Sequence, residues 1–300
     1  MILASKISQK RSLNNEKQLT NALKKYFRKN RKEVLANLEI YWSDYQMVQG
    51  QMDLIVEPVM DSIDEYREIL QKHALIEYQL GMEEAYRLAE LSGHLHAEKG
   101  IRDFIKGIKM KAVDNLFGTL RWAEDDLLNS LFIASERTLT RVSQQIREIL
   151  SNGYKSGQGI DKVARDIRER YNQLSDWESV RIARTEIHTS HNQGVMRTYD
   201  EVGVEYTQWI AHIDHRTRPS HGGTAKGKKG KGHATGNVNR EIIRMGDTYS
   251  NGLAYPGDKS GPIEEWINCR CSNAPFVMPY GYAAPPDMKQ FHESDLIKIN

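Results

Sequence analysis

The chain has 300 residues, with 42 Lys and Arg against 40 Asp and Glu and a formal net charge of +2 at pH 7. That length holds one large domain or two ordinary ones. The near-neutral balance excludes a globally basic nucleic-acid binder, so any such role must come from local patches. No apolar run approaches the roughly 18 residues of a membrane-spanning helix. Met1 to Lys6 lacks the long apolar stretch of a secretory signal, and two cysteines fit synthesis in a reducing cytoplasm.

The first half reads as a helical assembly. From about Asn15 to Ser43, Leu23, Phe27, Val34, Leu38 and Tyr41 recur at helical steps with no proline or glycine between them. A second helix is expected to follow Pro58, a residue suited to a first helical turn, with Ile63, Tyr66, Ile69 and Leu70 on its apolar face. A third run, about His73 to Leu91, contains Gly81, which reads either as a packing contact or as a break. Segments near Ile101 to Phe117 and Thr119 to Leu150 continue the pattern. The last is expected to close at Ser151-Asn152-Gly153, where glycine takes the left-handed conformation.

Lys24, Lys25, Arg28, Lys29, Arg31 and Lys32 crowd the first helix. The plain reading is a solvated face; the functional alternative is a surface for DNA or an acidic protein.

Gly153, Gly157 and Gly159 mark the clearest break in composition. Beyond it, Asp161 to Arg168 is a short amphipathic helix. Ser175 with Glu178 matches a capping box for a second helix that carries Val180, Ile182, Ala183 and Ile187 into His191-Asn192. Val204, Tyr206 and Gln208 alternate with Glu205, Thr207 and Trp209, predicting a strand. Asp214 to Pro219 is a polar turn in which Asp214 accepts from the backbone two residues on, and Arg216 and Arg218 are placed to grip a carboxylate or carbonyl. Gly222 to His233, carrying Lys226, Lys228, Lys229 and Lys231, has no side chain able to form a core and reads as a mobile loop or a phosphate-contacting arm.

Cys269 and Cys271, one residue apart, place both thiols on one face of an extended segment. With His221 they make three candidate zinc ligands of the four that a tetrahedral site needs, and spacing does not choose among His212, His215 and His233 for the fourth. Two small buried hydrophobes, or a strained disulfide, are the alternatives.

The ordered series Ile182-Ala183-Arg184-Thr185-Glu186, Trp209, Asp214-His215-Arg216-Thr217-Arg218, His221 and Asn268-Cys269-Arg270-Cys271 resembles the phage Mu protein F-like minor head proteins, or phage head morphogenesis family. The resemblance covers about Ser151 to Val277. Relatives carry a Cys-x-x-Cys and a final His that look like a zinc knuckle. Here Arg218 and His221 stand at the first pair's positions, and Trp266-Ile267-Asn268 replaces the histidine, so the Arg218 guanidinium is a candidate to bridge the gap by hydrogen bonding. Arg184 and Glu186 also resemble the polar pair of ADP-ribosyltransferases, but a structural polar network is the plainer reading, because no phosphate- or nicotinamide-binding loop accompanies them.

The expectation is therefore an α+β protein: an elongated, mainly helical region over 1–150 for portal or capsid interaction, a head-morphogenesis module over 151–277, and a tail over 278–300. The resemblance implies a non-enzymatic minor head protein of a tailed phage or prophage, made in the host cytoplasm and held in the head interior near the portal. Its implied partners are the portal protein, the scaffold, the major capsid protein and DNA without sequence specificity, with no membrane. The enzymatic alternative is a metal-dependent nuclease or an ADP-ribosyltransferase-like protein.

Overall fold

The structure, a computed structural model, describes residues 2–43, 47–93, 121–222 and 237–299. The helix expected near Ile101 to Phe117, and the insert carrying Lys226, Lys228, Lys229, Lys231 and His233, lie outside the described residues.

The fold is α+β. The long helices are α1 (Ile2–Tyr41), α2 (Gln49–Asp61), α3 (Ile63–Leu91), α4 (Arg121–Lys155), α5 (Ile160–Gln173) and α6 (Ser179–Glu201), followed by a single turn, α7 (Ile263–Trp266). The strands are β1 (Tyr206–Ile210), β2 (Ile242–Arg244), β3 (Ser272–Phe276), β4 (Tyr282–Ala283), β5 (Gln290–Phe291) and β6 (Ile297–Lys298). Among the described residues no helix is long and apolar enough to cross a membrane.

The chain divides into two compact units, each discontinuous in sequence. One comprises Leu13–His73 and Asp126–Glu186; the other comprises Met1–Ser12, Ala74–Asp125 and Ile187–Asn300.

In the first of these, the helical unit, Leu23, Phe27, Val34 and Leu38 of α1 are all fully buried, as their spacing predicts. Tyr26, Phe27 and Tyr66 form an aromatic cluster with ring centroids 5.1–6.0 Å apart. Pro58 does not open a helix; it lies in the last turn of α2. Proline has no N–H for the carbonyl four residues back. That carbonyl, on Leu54, instead accepts from the Asn37 side chain at 2.7 Å. The break falls at Ser62, whose hydroxyl donates back to the Pro58 carbonyl at 2.8 Å.

Gly153 does not end α4. The helix runs on to Lys155, because the left-handed residue is Gly157, at φ +63°. Gln158 N–H donates to Gly153 and Gly157 N–H to Tyr154, at 2.9 and 3.0 Å, the paired bonds of a Schellman closure. Nor is Ser175 a cap. Leu174–Glu178 is a π-helical turn that carries α5 directly into α6. Glu178 is spent otherwise: its buried carboxylate accepts from Arg170 at 2.5 Å and Arg141 at 2.8 Å, with Arg181 at 3.7 Å. Two charge-assisted bonds to a buried carboxylate outweigh one exposed capping bond, so the local signal loses.

In the second, mixed unit, α3 and α6 cross at two glycines. A Cβ on Gly81 would lie 2.0 Å from the His191 carbonyl oxygen, and one on Gly194 would lie 2.1 Å from that of Tyr78. Gly81 is thus a packing contact. The crossing is also held by His191, whose Nδ1 lies 3.0 Å from Glu77. The sheet has the order β3-β1-β2-β5, antiparallel throughout. Trp209 of β1 lies opposite Asn273 of β3, and β2 pairs along the other side, so β1 is a central strand with both its flanks covered. Tyr206, Ile242 and Phe291 form one small core, and Trp209, Val238, Ile243, Tyr249, Leu253, Cys269 and Cys271 another.

Candidate metal centre

The second of these small cores surrounds the cysteine pair. Trp209 is fully buried and meets the rings of His221 and Tyr249 edge-on, with centroids 4.9 and 5.1 Å apart. An aromatic side chain buried in this way contributes about 1.5–3 kcal/mol. Its strand therefore anchors the wall against which the cysteines pack.

Two turns bring the site residues together. Asp214 accepts from the Arg216 backbone at 2.8 Å, the bond expected of an aspartate in a turn, and Pro219 begins the short helical turn Pro219–His221. His221 is delivered inward and is 1% exposed. At the other end, α7 closes at Ile267 and Asn268 takes φ +57°, a left-handed conformation that asparagine tolerates better than most residues. The chain then extends, and alternation does the rest. Cys269 and Cys271 turn into the core, at 2% and 3% exposure. Arg270, between them, turns the other way and grips Asp214 with two bonds of 2.6 Å.

Four further bonds tie the module together. Arg218 donates to the Ile267 carbonyl, bridging the gap expected of it. His188 and Asn192 of α6 both donate to the Cys271 carbonyl, Asn192 at 3.3 Å, and Asn192 reaches the Pro256 carbonyl at 2.8 Å. Burial holds the His188 pKa below the ordinary histidine value, so it donates as a neutral ring.

The three candidate ligands converge. His221 Nδ1 lies 3.6 Å from Cys269 Sγ and 3.4 Å from Cys271 Sγ, and all three ligand atoms lie within 4.8 Å of one another. Both cysteines are free thiols, not a disulfide. Tetrahedral zinc with bonds of about 2.3 Å to sulfur and about 2.0 Å to nitrogen would hold those atoms roughly 3.5 Å apart. The observed spacing fits that geometry. Hydrogen bonding to Cys269, with His221 beside it, holds the Cys271 thiol well below its ordinary pKa despite burial. The same contact and burial raise Cys269. Thiol ligands give up their protons as metal binds, so uptake at such a set is expected to release protons.

A fourth ligand is not among the described residues. His212 and His215 are exposed and outside the converging group, and His233 lies outside the described residues. Three groups not singled out in the sequence belong to the centre. Glu265 accepts from His221 Nε2 at 2.8 Å and from Ser220 at 2.9 Å, and Asn251 approaches the same ring nitrogen at 3.3 Å. Ser220 is the chain neighbour of His221, but nothing in their spacing marks Glu265 and Asn251, which segments far apart in the chain bring in.

Arg184, Thr185 and Glu186 do not join this group. They fall in the helical unit, where Arg184 bonds Glu16 at 3.2 Å and Thr185 bonds the Arg181 carbonyl at 2.8 Å.

Residues 144–274 match the family described as Phage Mu protein F like protein. No curated protein and no solved structure matches the chain.

Proposed function

We propose that this chain, a Phage Mu protein F-like protein over residues 144–274, acts as a minor head protein at the portal vertex during phage head assembly. The family is one of phage head morphogenesis, and that match carries the reading. The portal position, the head-interior location, and contacts with the portal protein, scaffold and major capsid protein are our inference. We read the protein as structural rather than enzymatic. Its half-buried and buried polar residues are spent on structural contacts: Asp214 on Arg270, Arg218 on the Ile267 carbonyl and the buried Glu178 on three arginines. Such networks bind loops together. In this reading, zinc on His221, Cys269 and Cys271 would cross-link the same loops.

Contact with packaged DNA is part of the proposal. Lys24, Lys25, Arg28, Lys29 and Lys32 line one face of α1 together with Asn21. Lys29 is also paired with Glu65 at 2.6 Å, and Arg31 bonds Asn172 at 3.1 Å. A straight row of cations contacts phosphates but reads no base edges.

Affinity purification of assembling heads tests the portal reading. Tagged portal protein is expected to retain this chain at fixed stoichiometry, and heads made without the portal are expected to lack it. Recovery on portal-free capsid shells would place it elsewhere in the head. For DNA, neutralising Lys24, Lys25, Arg28 and Lys32 together is expected to weaken binding about equally for unrelated duplexes. The salt slope should flatten by about 0.9 for each cation that no longer meets a phosphate. Unchanged binding at low salt would make this face merely solvated.

A further inference from the structure

Around His221 the hydrogen bonds are asymmetric. On one side, Glu265 Oε2 lies 2.8 Å from Nε2; on the other, Nδ1 faces Cys269 and Cys271 at 3.6 and 3.4 Å. A carboxylate only accepts, so the Nε2 nitrogen must carry the proton in that contact. Asn251, at 3.3 Å from the same nitrogen, is the weaker neighbour and does not reverse this assignment. Ser220 donates to the same Glu265 oxygen at 2.9 Å, which fixes the carboxylate in place. His221 is 1% exposed, so water does not compete for either nitrogen.

We infer that Glu265 is a positioning residue: it holds the Nε2 proton of His221 and thereby turns the Nδ1 lone pair onto the two sulfurs. An imidazole held this way is a ready-made ligand, and a carboxylate behind a ligating histidine fixes its tautomer and orientation. Glu265 sits in α7, and α7 leads straight into Asn268 and the cysteines, so one short turn supplies both the orienting carboxylate and the thiols. The proton assignment rests on hydrogen-bond geometry alone; its consequence for metal binding rests on the zinc reading above.

Long-range ¹H–¹⁵N correlation spectra of histidine-labelled full-length protein locate the ring proton without any metal, and competition with a chromophoric chelator measures zinc affinity. Wild type is expected to carry a proton on Nε2 of His221. Glu265→Gln, which keeps the shape and removes the charge, is expected to shift the proton partly to Nδ1 and to weaken zinc binding roughly 10- to 100-fold. Glu264→Gln, on the exposed neighbour in the same turn, is expected to match wild type in both readouts, which separates positioning from net charge. A bare Nε2 in wild type, or an unmoved proton in Glu265→Gln, overturns the inference. If the proton moves as expected but wild type takes up no zinc, the positioning role stands and the zinc reading falls.

Discussion

Asp214 and Arg270, 56 residues apart, are joined by two parallel hydrogen bonds of 2.6 Å each. The bidentate fork locks the polar turn to the cysteine segment. Arg270 holds the Asp214 carboxyl well below the usual aspartate range. A depressed carboxylate stabilises the fold above its unfolded pKa, about 3.9, and the contribution fades as pH falls through the lower folded value. The difference in urea midpoint between wild type and Asp214→Asn is therefore expected to stay constant from pH 5 to 8 and to shrink below about pH 4. A difference that widens in acid would contradict the pairing.

His191 has the opposite sign. Burial works against its charged form, but the bond to Glu77 and the charge of Glu84 outweigh it and raise its pKa. The groups facing it are Glu77 and Glu84 from α3, with His188 on its own helix. A raised histidine stabilises fully below its unfolded pKa of about 6.5 and loses that contribution as pH rises through the folded value. Thermal unfolding of wild type against His191→Gln should show the gap narrowing on the alkaline side. A gap independent of pH would mean that the ring is neutral throughout.

At Gly81 the limit is steric. An added methyl meets the His191 carbonyl at 2.0 Å, and a backbone atom cannot rotate away. Gly81→Ala is expected to cost about 1–3 kcal/mol or more. Gly50, in the first turn of α2 with nothing within 4 Å, is the control; there alanine should be neutral or stabilising by up to about 1 kcal/mol. Equal denaturant midpoints for the two variants would refute the close crossing of α3 and α6.

Glu178, 2% exposed, is contacted by Arg141, Arg170 and Arg181. Removing it strands the nearly buried guanidinium of Arg170, and breaking a buried pair in this way costs roughly 3–5 kcal/mol. Glu178→Ala should show a loss of that size by chemical denaturation, and the double variant Glu178→Met with Arg170→Met should recover much of it. Failure of the double variant to recover would show that the pair is more than an isolated charge balance.

Much of the architecture was legible in the residues themselves. The spacing of Leu23, Phe27, Val34 and Leu38 is a property of one helix face, imposed by backbone geometry, so it appears in the sequence wherever one side must be buried. The strand at Trp209 was legible from its β-forming residues, but Tyr206, Thr207, Gln208 and Trp209 are all buried, so both of its faces are covered. The Asp214 turn and the inward facing of Cys269 and Cys271 are equally local. What failed were end signals. Ser175 and Glu178 match a cap, Gly153 matches a stop and Pro58 matches a start, yet each is worth only about 1–3 kcal/mol against the burial of a long helix. Tertiary contacts overrode them: three arginines claimed Glu178, Val163 packs where a side chain on Gly153 would sit, and Asn37 took the carbonyl that Pro58 leaves open.

By itself the sequence determined the classes of element, the faces they bury and the three sulfur and nitrogen ligands that define the candidate centre. Only the tertiary structure decided which groups surround those ligands. The Glu265 carboxylate meets His221 at 2.8 Å and Ser220 at 2.9 Å, across more than 40 residues of chain. No local period encodes such a meeting, because it depends on where β1, the Asp214 turn and α7 come to rest after their hydrophobic faces have been buried.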